Sequence, residues 1–337
     1  MMKSSNDIRF ALLALLLAAL FAADLAVGSV SVPVRSVLAA LFGGECEPAV
    51  REIVVGIRLL RALTAVLAGA ALSVAGLQMQ TLFRNPLAGP YVLGVSSGAS
   101  LGAALLLLGL PLAGSAAGDM LRGIGTAGAA WAGSAAVLLL VTAASRRIKD
   151  IMVILILGMM LSSAVGALVE IMQYMSSEAA LKSFVIWTMG SLGDVTARQL
   201  CILFPAVFAG LALAALSVKP LDMLLLGETY ARTMGLEVLR ARRTVFLSTV
   251  LLAGTVTAFC GPIGFIGLAV PHLARMIFST SRHGVLMTSS AMMGAAALLL
   301  CNIVSVRLAL PINTITALAG IPVVVWVVMR NRNKLGQ

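Results

Sequence analysis

The sequence predicts an all-α integral membrane protein with about ten transmembrane helices, from its composition, its long apolar segments and the placement of its basic residues. The chain has 337 residues, of which 60% are hydrophobic and 11% are charged, whereas soluble domains carry about 25% charged residues. A bilayer core about 30 Å thick needs about 20 apolar residues per helix. Because lipid cannot satisfy unpaired backbone groups, such segments must be helical.

Apolar length and helix-breaking residues divide the chain into ten predicted helices. They lie at about 8–28, 58–80, 90–110, 124–144, 151–172, 198–218, 244–262, 263–278, 285–304 and 313–330. The first exceeds the 7–15 residues of a typical signal-peptide core, so we interpret it as a membrane helix. Residues 1–337 are therefore treated as a single transmembrane domain.

The basic residues indicate an orientation. With the N-terminus inside, 16 of the 24 Lys and Arg residues fall on the inside and eight on the outside. The positive-inside rule then predicts that both termini are cytoplasmic. The same rule explains the net charge of +11, so we expect no nucleic-acid partner. The longest polar inside loop, at about 219–243, is predicted to form one or two short helices.

Two Gly-Pro pairs suggest that the chain has two related halves. Gly89-Pro90 and Gly261-Pro262 are each predicted to open a glycine-rich helix. Inverted repeats with interrupted helices are common in transporters. Broken backbone at membrane depth is tolerated where it is buried or lines a cavity, so the segment from Gln80 to Ser100 is expected to line a path.

Enzymatic and proton-coupled alternatives have weak support in the sequence. Residues 94–98 (GVSSG) match the G-x-S-x-G pattern of serine hydrolases, with His272 as the available base, but small residues also permit close helix packing. A proton-coupled carrier would need carboxylates deep in the membrane, and the candidates Asp24 and Glu170 fall near outer helix ends. We favour the packing interpretation and keep an intramembrane serine hydrolase and a secondary carrier as alternatives.

No metal or cofactor site is predicted. The two histidines, His272 and His283, match no ligand spacing, and the four cysteines form no C-x-x-C pair. The sequence also contains no Walker A motif. If ATP powers this protein, another chain must hydrolyse it.

Six motifs in order resemble one transporter family. They are Arg58–Gln80 (RLLRALTAVLAGAALSVAGLQMQ), Arg84–Ser100 (RNPLAGPYVLGVSSGAS), Trp187–Leu192 (WTMGSL), Leu226–Val238 (LGETYARTMGLEV), Gly261–Arg275 (GPIGFIGLAVPHLAR) and Leu310–Val328 (LPINTITALAGIPVVVWVV). Across nearly its whole length the chain resembles the FecCD-like permeases of iron-siderophore, haem and cobalamin ABC importers, of the type II class.

The resemblance implies a homodimer in the lipid of a bacterial or archaeal cytoplasmic membrane. Two ABC ATPase subunits would bind its cytoplasmic face, and a periplasmic or lipid-anchored solute-binding protein would dock outside. The chain itself would not be an enzyme and would work by alternating access. Ferric siderophore is the expected cargo, with haem and cobalamin as alternatives.

The resemblance also assigns roles to residues. The expected ATPase-coupling residues are Gly227, Glu228, Ala231, Arg232, Gly235 and Leu236. The spacing of Gly227, Ala231 and Gly235 by four predicts one smooth helical face.

Two further sets complete the expected site. The residues expected to receive the binding protein at the outer surface are Arg58, Arg61 and Arg307. An Asp usually precedes the last arginine in this family, and this chain has Asn302 there. The residues expected to constrict the cytoplasmic end of the path are Asn85, Pro86, Leu87, Ile151 and Met152.

Overall fold

The computed structural model describes residues 2–28, 30–109, 116–145, 148 and 150–335, and it is helical. In that part of the chain the helices are α1 (Met2–Ala26), α2 (Val34–Phe42), α3 (Pro48–Leu82), α4 (Val95–Leu107), α5 (Ala116–Ser145), α6 (Ile151–Tyr174), α7 (Glu178–Thr188), α8 (Ala197–Leu216), α9 (Val218–Leu225), α10 (Glu228–Thr233), α11 (Val238–Cys260), α12 (Ile266–Phe278), α13 (His283–Leu308) and α14 (Ile312–Leu335). Two of them contain π-helical segments, Glu52–Leu59 in α3 and Val250–Gly254 in α11.

Ten of these helices match the ten predicted from sequence. Among the described residues, seven are long and apolar enough to cross a membrane, namely α1, α3, α5, α6, α8, α11 and α13. Three more, α4, α12 and the first part of α14, are apolar but shorter. The prediction of about ten membrane helices is thus confirmed.

Helix α3 forms the centre of the bundle because small residues let its neighbours approach closely. Nearly all of its length from Ala62 to Leu82 is buried. A Cβ added at Gly69 would overlap the carbonyl group of Gly294 on α13, and one at Gly76 would overlap that of Gly267 on α12. Backbone-to-backbone contact of this kind is how helices associate without a hydrophobic driving force.

The G-x-S-x-G segment has the same packing role. Gly98 on α4 lies against the backbone of Gly133 on α5, where a side chain would clash. Gly94 adopts a left-handed φ of 78° and directly precedes α4. Both glycines are therefore explained by local geometry, as the packing interpretation predicted.

The two Gly-Pro pairs do not open helices, which corrects the sequence prediction. Helix α4 begins at Val95 and α12 at Ile266, several residues after each pair. The left-handed conformations of Gly94 and Phe265 (φ 65°) cannot belong to a right-handed helix. Each pair lies instead in an irregular segment, which we call the first break (residues 83–94) and the second break (261–265).

The two breaks contact each other in the interior. The hydroxyl group of Tyr91 donates a hydrogen bond to the carbonyl of Ile263 over 3.0 Å. It also lies 3.4 Å from the backbone nitrogen of Ile263 and from Oγ1 of Thr257. One tyrosine thus satisfies backbone groups that the break in the second half leaves without helical partners.

Candidate functional site

The predicted coupling segment forms two short helices, α9 and α10, as expected for the loop at 219–243. The predicted smooth face of Gly227, Ala231 and Gly235 is wrong, however. Helix α10 has six residues, and both glycines lie outside it with left-handed φ values of 112° and 85°. Ala231 points inward and is fully buried, so the glycines serve as turn residues that set the direction of α10.

An ion pair attaches α10 to the membrane helix that follows it. Glu228, the first residue of α10, accepts a hydrogen bond from Nη2 of Arg242 on α11. The guanidinium side chain of Arg242 is almost fully buried, and the Glu228 side chain is partly exposed. Arg232 lies 3.8 Å from the other carboxylate oxygen at a more exposed position. The pair holds α10 against α11, because the mostly buried guanidinium group of Arg242 would lose a charge partner if Glu228 moved away.

Arg84 connects the first break to the predicted coupling segment. Its Nη2 donates a hydrogen bond to the carbonyl of Leu224, near the end of α9, over 3.3 Å. The same nitrogen packs against Gly227, where a Cβ would clash with it. Arg84 itself adopts a left-handed φ of 47°, a conformation that costs free energy in a residue other than glycine. The strained backbone places this side chain across the gap between the two segments.

A second connection runs through His283. Nδ1 of His283 lies 2.6 Å from Oδ1 of Asp222 on α9, and this oxygen also accepts from the His283 backbone nitrogen at 2.9 Å. Nε2 of His283 lies 2.8 Å from Oγ1 of Thr81, in the last turn of α3. Three helices, α9, α13 and α3, are therefore joined by one buried imidazole ring.

The predicted constriction residues lie at the first break and at the start of α6. Oδ1 of Asn85 accepts a hydrogen bond from the backbone nitrogen of Leu87 over 2.9 Å, which fixes a tight turn. Leu87 is 45% exposed. The carbonyl of Pro86 lies 2.7 Å from Nε2 of His272.

At the start of α6, Asp150 caps the helix by accepting from the backbone nitrogen of Met152. A cavity of about 330 Å³ lies beside this helix end. Ile151, Arg84 and Glu228 line it together, so one constriction residue and one coupling residue share a cavity with Arg84.

The predicted docking arginines occupy different environments, and one prediction needs correction. Arg58 does not lie at the surface, since it is 2% exposed. Its guanidinium group donates to the carbonyls of Leu25 and Ala26, both over 2.9 Å, and to that of Val30 over 2.5 Å. It therefore satisfies the C-terminal carbonyls of α1, which a helix end leaves without internal partners. Arg61 is partly buried and Arg307 is exposed.

The sequence analysis did not identify the residues that connect the coupling segment with the first break and α3. Arg84, Thr81, Asp222 and His283 carry the contacts between the coupling segment, the first break and α3. For Arg84 a signal existed, because a basic residue directly before Asn-Pro lies at a predicted helix end. The pairing of Asp222 with His283 had none, since 61 residues separate them.

Comparison with known proteins agrees with this architecture. The FecCD transport family matches residues 15–330. The chain is 33% identical to the hemin transport system permease HmuU of Yersinia pestis over 333 residues, 96% of each chain. It is 38% identical to the vitamin B12 import system permease BtuC of Salmonella paratyphi A over 282 residues, 82% of this chain and 83% of that protein.

A solved structure shares the fold. An inward-facing metal-chelate type ABC transporter superimposes with a TM-score of 0.81 and 31% identity, covering 96% of this chain and 99% of the other. The helical bundle and these comparisons define a multi-span membrane permease of the ABC importer class, a transport subunit and not an enzyme. The chain belongs to the FecCD transport family. Permeases of this class work in the inner membrane of bacteria with ATPase subunits and a binding protein.

Proposed function

We propose that two copies of this chain form the path of an importer that moves an intact metal chelate inward, driven by a separate pair of ATPase subunits. Both termini would lie in the cytoplasm, on the side where most basic residues fall. The ATPases would bind α9 and α10, and the solute-binding protein would dock at the opposite face.

The observation that carries this proposal is the contact between the coupling segment and the first break. Arg84 bonds the end of α9, and His283 ties Asp222 of α9 to Thr81 of α3. The first break begins directly after α3. A force applied to α9 and α10 would therefore reach Asn85, Pro86 and Leu87 without passing through a flexible linker. This is the mechanical requirement for coupling ATP hydrolysis to opening of the path.

The exposed face of α6 fits a path wall or a contact with the second copy. Met152, Ile156, Met159 and Met160 are exposed and recur at the spacing of one helical face. Flexible, polarisable methionine side chains suit loose contact with bulky apolar groups. Such a surface would let a chelate pass without binding it tightly.

For the cargo, ferric siderophore is our first candidate, from the sequence resemblance. Haem is the second, because a relative named for hemin transport matches this chain over 96% of its length. Vitamin B12 is the third, on the similarity to a permease named for its import. In each case the metal would travel inside an organic ligand.

For docking of the binding protein, we retain Arg61 and Arg307. Arg307 lies exposed near the end of α13, where it can meet a carboxylate of the partner. Exposed charges of this kind set orientation and encounter rate more than affinity. Arg58 would contribute indirectly, by holding the end of α1 beside Arg61.

Uptake in proteoliposomes tests the proposal. The chain would be reconstituted with its cognate ATPase and binding protein and offered labelled ferric siderophore, haem or cobalamin, with and without ATP. ATP-dependent accumulation of one cargo confirms import and identifies the substrate. Uptake that persists without the ATPase would favour a secondary carrier and overturn the proposal, as would failure to assemble with an ATPase.

A further inference from the structure

A cavity with a volume of about 840 Å³ lies where the C-terminal ends of α3 and α12 meet α14 and the end of α9. Arg84, Arg275 and His272 line it together with Gln80 and Trp326. It opens on the side of the bundle that carries the first break, which the charge distribution predicts to be cytoplasmic. The transport proposal above uses two of its lining residues, Arg84 and Pro86, but assigns no ligand to the cavity itself.

The ionisable residues that line the cavity are all basic. Among its described lining residues there are two arginines and a histidine, and none is Asp or Glu. A cavity with this lining favours an anion, since each guanidinium group presents several N–H donors in a fixed plane that matches carboxylate and phosphate oxygens.

Arg275 is held in place by a neighbour that leaves most of its donors available. Its Nη1 donates to Oε1 of Gln80 over 2.6 Å. Gln80 is itself oriented, because its Nε2 donates to the carbonyl of Leu268 over 3.0 Å. The bond to Gln80 is the one hydrogen bond of the Arg275 guanidinium group within the described part of the chain, so its other N–H groups can bind a ligand. A preoriented donor set loses less entropy when the ligand binds.

The rim of the cavity is apolar and exposed. Met276 on α12 is 38% exposed and Trp326 on α14 is 45% exposed. Both belong to apolar helices, and tryptophan is enriched where helices leave the hydrocarbon core and enter the headgroup region. A basic interior beside such a rim matches an amphiphile that has an anionic head and a hydrocarbon tail.

We propose that this cavity binds the phosphate group of an anionic phospholipid, with Arg275 and Arg84 as its ligands and Trp326 and Met276 against the glycerol and upper acyl region. Basic pockets between transmembrane helices on the cytoplasmic side recognise anionic headgroups in this way. Because Arg84 also bonds the end of α9, an occupied cavity would steady the contact between the first break and the coupling segment.

Native mass spectrometry of the purified full-length chain tests the site without ATP or cargo. The chain would be titrated with phosphatidylglycerol or with phosphatidylcholine of identical acyl chains. We expect phosphatidylglycerol to be retained at least about tenfold better, because both lipids carry the phosphate group but the quaternary ammonium of phosphatidylcholine offsets its charge and is repelled by the two arginines. R275Q and R84Q should each remove most of that preference, whereas R275K, which keeps the charge, should retain part of it.

R282Q is the matched control, because Arg282 is an exposed arginine before α13 and does not line the cavity. Its lipid preference should equal that of the unaltered chain. Circular dichroism would establish that each variant is folded, and if R275Q is not, R84Q decides alone. Equal retention of both lipids, or a preference that survives R84Q, would overturn the proposal.

A separate arm distinguishes the source of the phosphate. Inorganic phosphate would be added at millimolar concentration to lipid-free protein while thermal unfolding is followed. Strong protection by phosphate, combined with no preference for phosphatidylglycerol, would assign the cavity to a soluble anion and exclude the lipid. Little protection, combined with retained phosphatidylglycerol, supports the headgroup site.

Discussion

Asn302 on α13 donates a hydrogen bond from Nδ2 to Oδ1 of Asp24 on α1, over 2.6 Å in the protein interior. Asp24 is fully buried, and its carboxylate lies within electrostatic range of Arg61 and Arg58. The resemblance noted from the sequence predicts an Asp at the place where this chain has Asn302. In this chain the carboxylate near Arg58 and Arg61 therefore comes from Asp24 on α1, and the hydrogen bond from Asn302 fixes its position.

This arrangement predicts that exchanging the Asp and Asn at positions 24 and 302 restores stability lost in the single variant D24N. D24N leaves Arg58 and Arg61 without their counter-charge and should lower the free energy of unfolding by about 1–3 kcal/mol. D24N/N302D returns a carboxylate to the same pair of positions and should recover most of that loss. SDS titration followed by circular dichroism measures both values.

The control for this exchange is E170Q, which neutralises an exposed carboxylate on α6. It should change the free energy of unfolding by less than about 0.5 kcal/mol. If the double variant proved no more stable than D24N, a carboxylate at position 302 could not replace the one at position 24. The interpretation that the two positions are interchangeable would then be wrong.

Close backbone packing makes a second prediction. G76A would drive a methyl group into the carbonyl of Gly267, and overpacking of this kind costs about 1–3 kcal/mol or more. We expect a large loss of folded, monodisperse protein in detergent. G166A is the matched variant, since a Cβ at Gly166 on α6 meets no atom within 4 Å, and it should behave like the unaltered chain. Equal yields of the two variants would contradict the packing assignment.

Periodicity and composition predicted the helices well, because apolar length alone decides what can cross a bilayer. They failed where backbone conformation decides the outcome. The true starts of α4 and α12 depend on left-handed residues at Gly94 and Phe265. A non-glycine residue such as Phe265 gives no sequence signal for that conformation, because its φ is imposed by tertiary packing.

The contacts within the candidate site were not predicted from the sequence. The coupling and constriction roles that the resemblance assigned stay predictions, and the side chains that connect the two segments had no predicted role. Arg58 shows the opposite error. Its position at an outer helix end suggested exposure. The side chain is buried instead, because it donates hydrogen bonds to the C-terminal carbonyl groups of α1. Such a contact joins residues more than 30 apart and cannot be read from local pattern.

Because Arg84 connects the first break to the coupling segment, removing its side chain should uncouple cargo uptake from ATP hydrolysis. R84A removes the hydrogen bond to Leu224 and the packing against Gly227. In the reconstituted complex we expect ATP-driven uptake to fall about tenfold, the effect of losing one charge-assisted bond, while ATP hydrolysis continues. Uptake and phosphate release measured in the same vesicles give the ratio of cargo moved to ATP hydrolysed.

R84K separates charge from geometry at this position. Lysine keeps the charge but lacks the planar fork of the guanidinium group, so partial uptake is expected. A parallel fall of uptake and hydrolysis in R84A would mean that the ATPase no longer assembles with the chain. In that case Arg84 would serve assembly and would not transmit the motion.

Shortening the apolar side chains at the predicted constriction should let cargo leak through the path. Leu87 is 45% exposed within the first break, and Ile151 begins α6 next to the cavity that Arg84 also lines. A narrow apolar ring can stop flow by excluding water, so L87A and I151A should raise cargo leakage from loaded vesicles in the absence of ATP. L216A, which shortens an exposed apolar side chain at the end of α8, should leave leakage unchanged. Leakage that stays at the level of the unaltered chain in both L87A and I151A would remove these residues from the gate and shift attention to Asn85, whose turn would then close the path by its backbone alone.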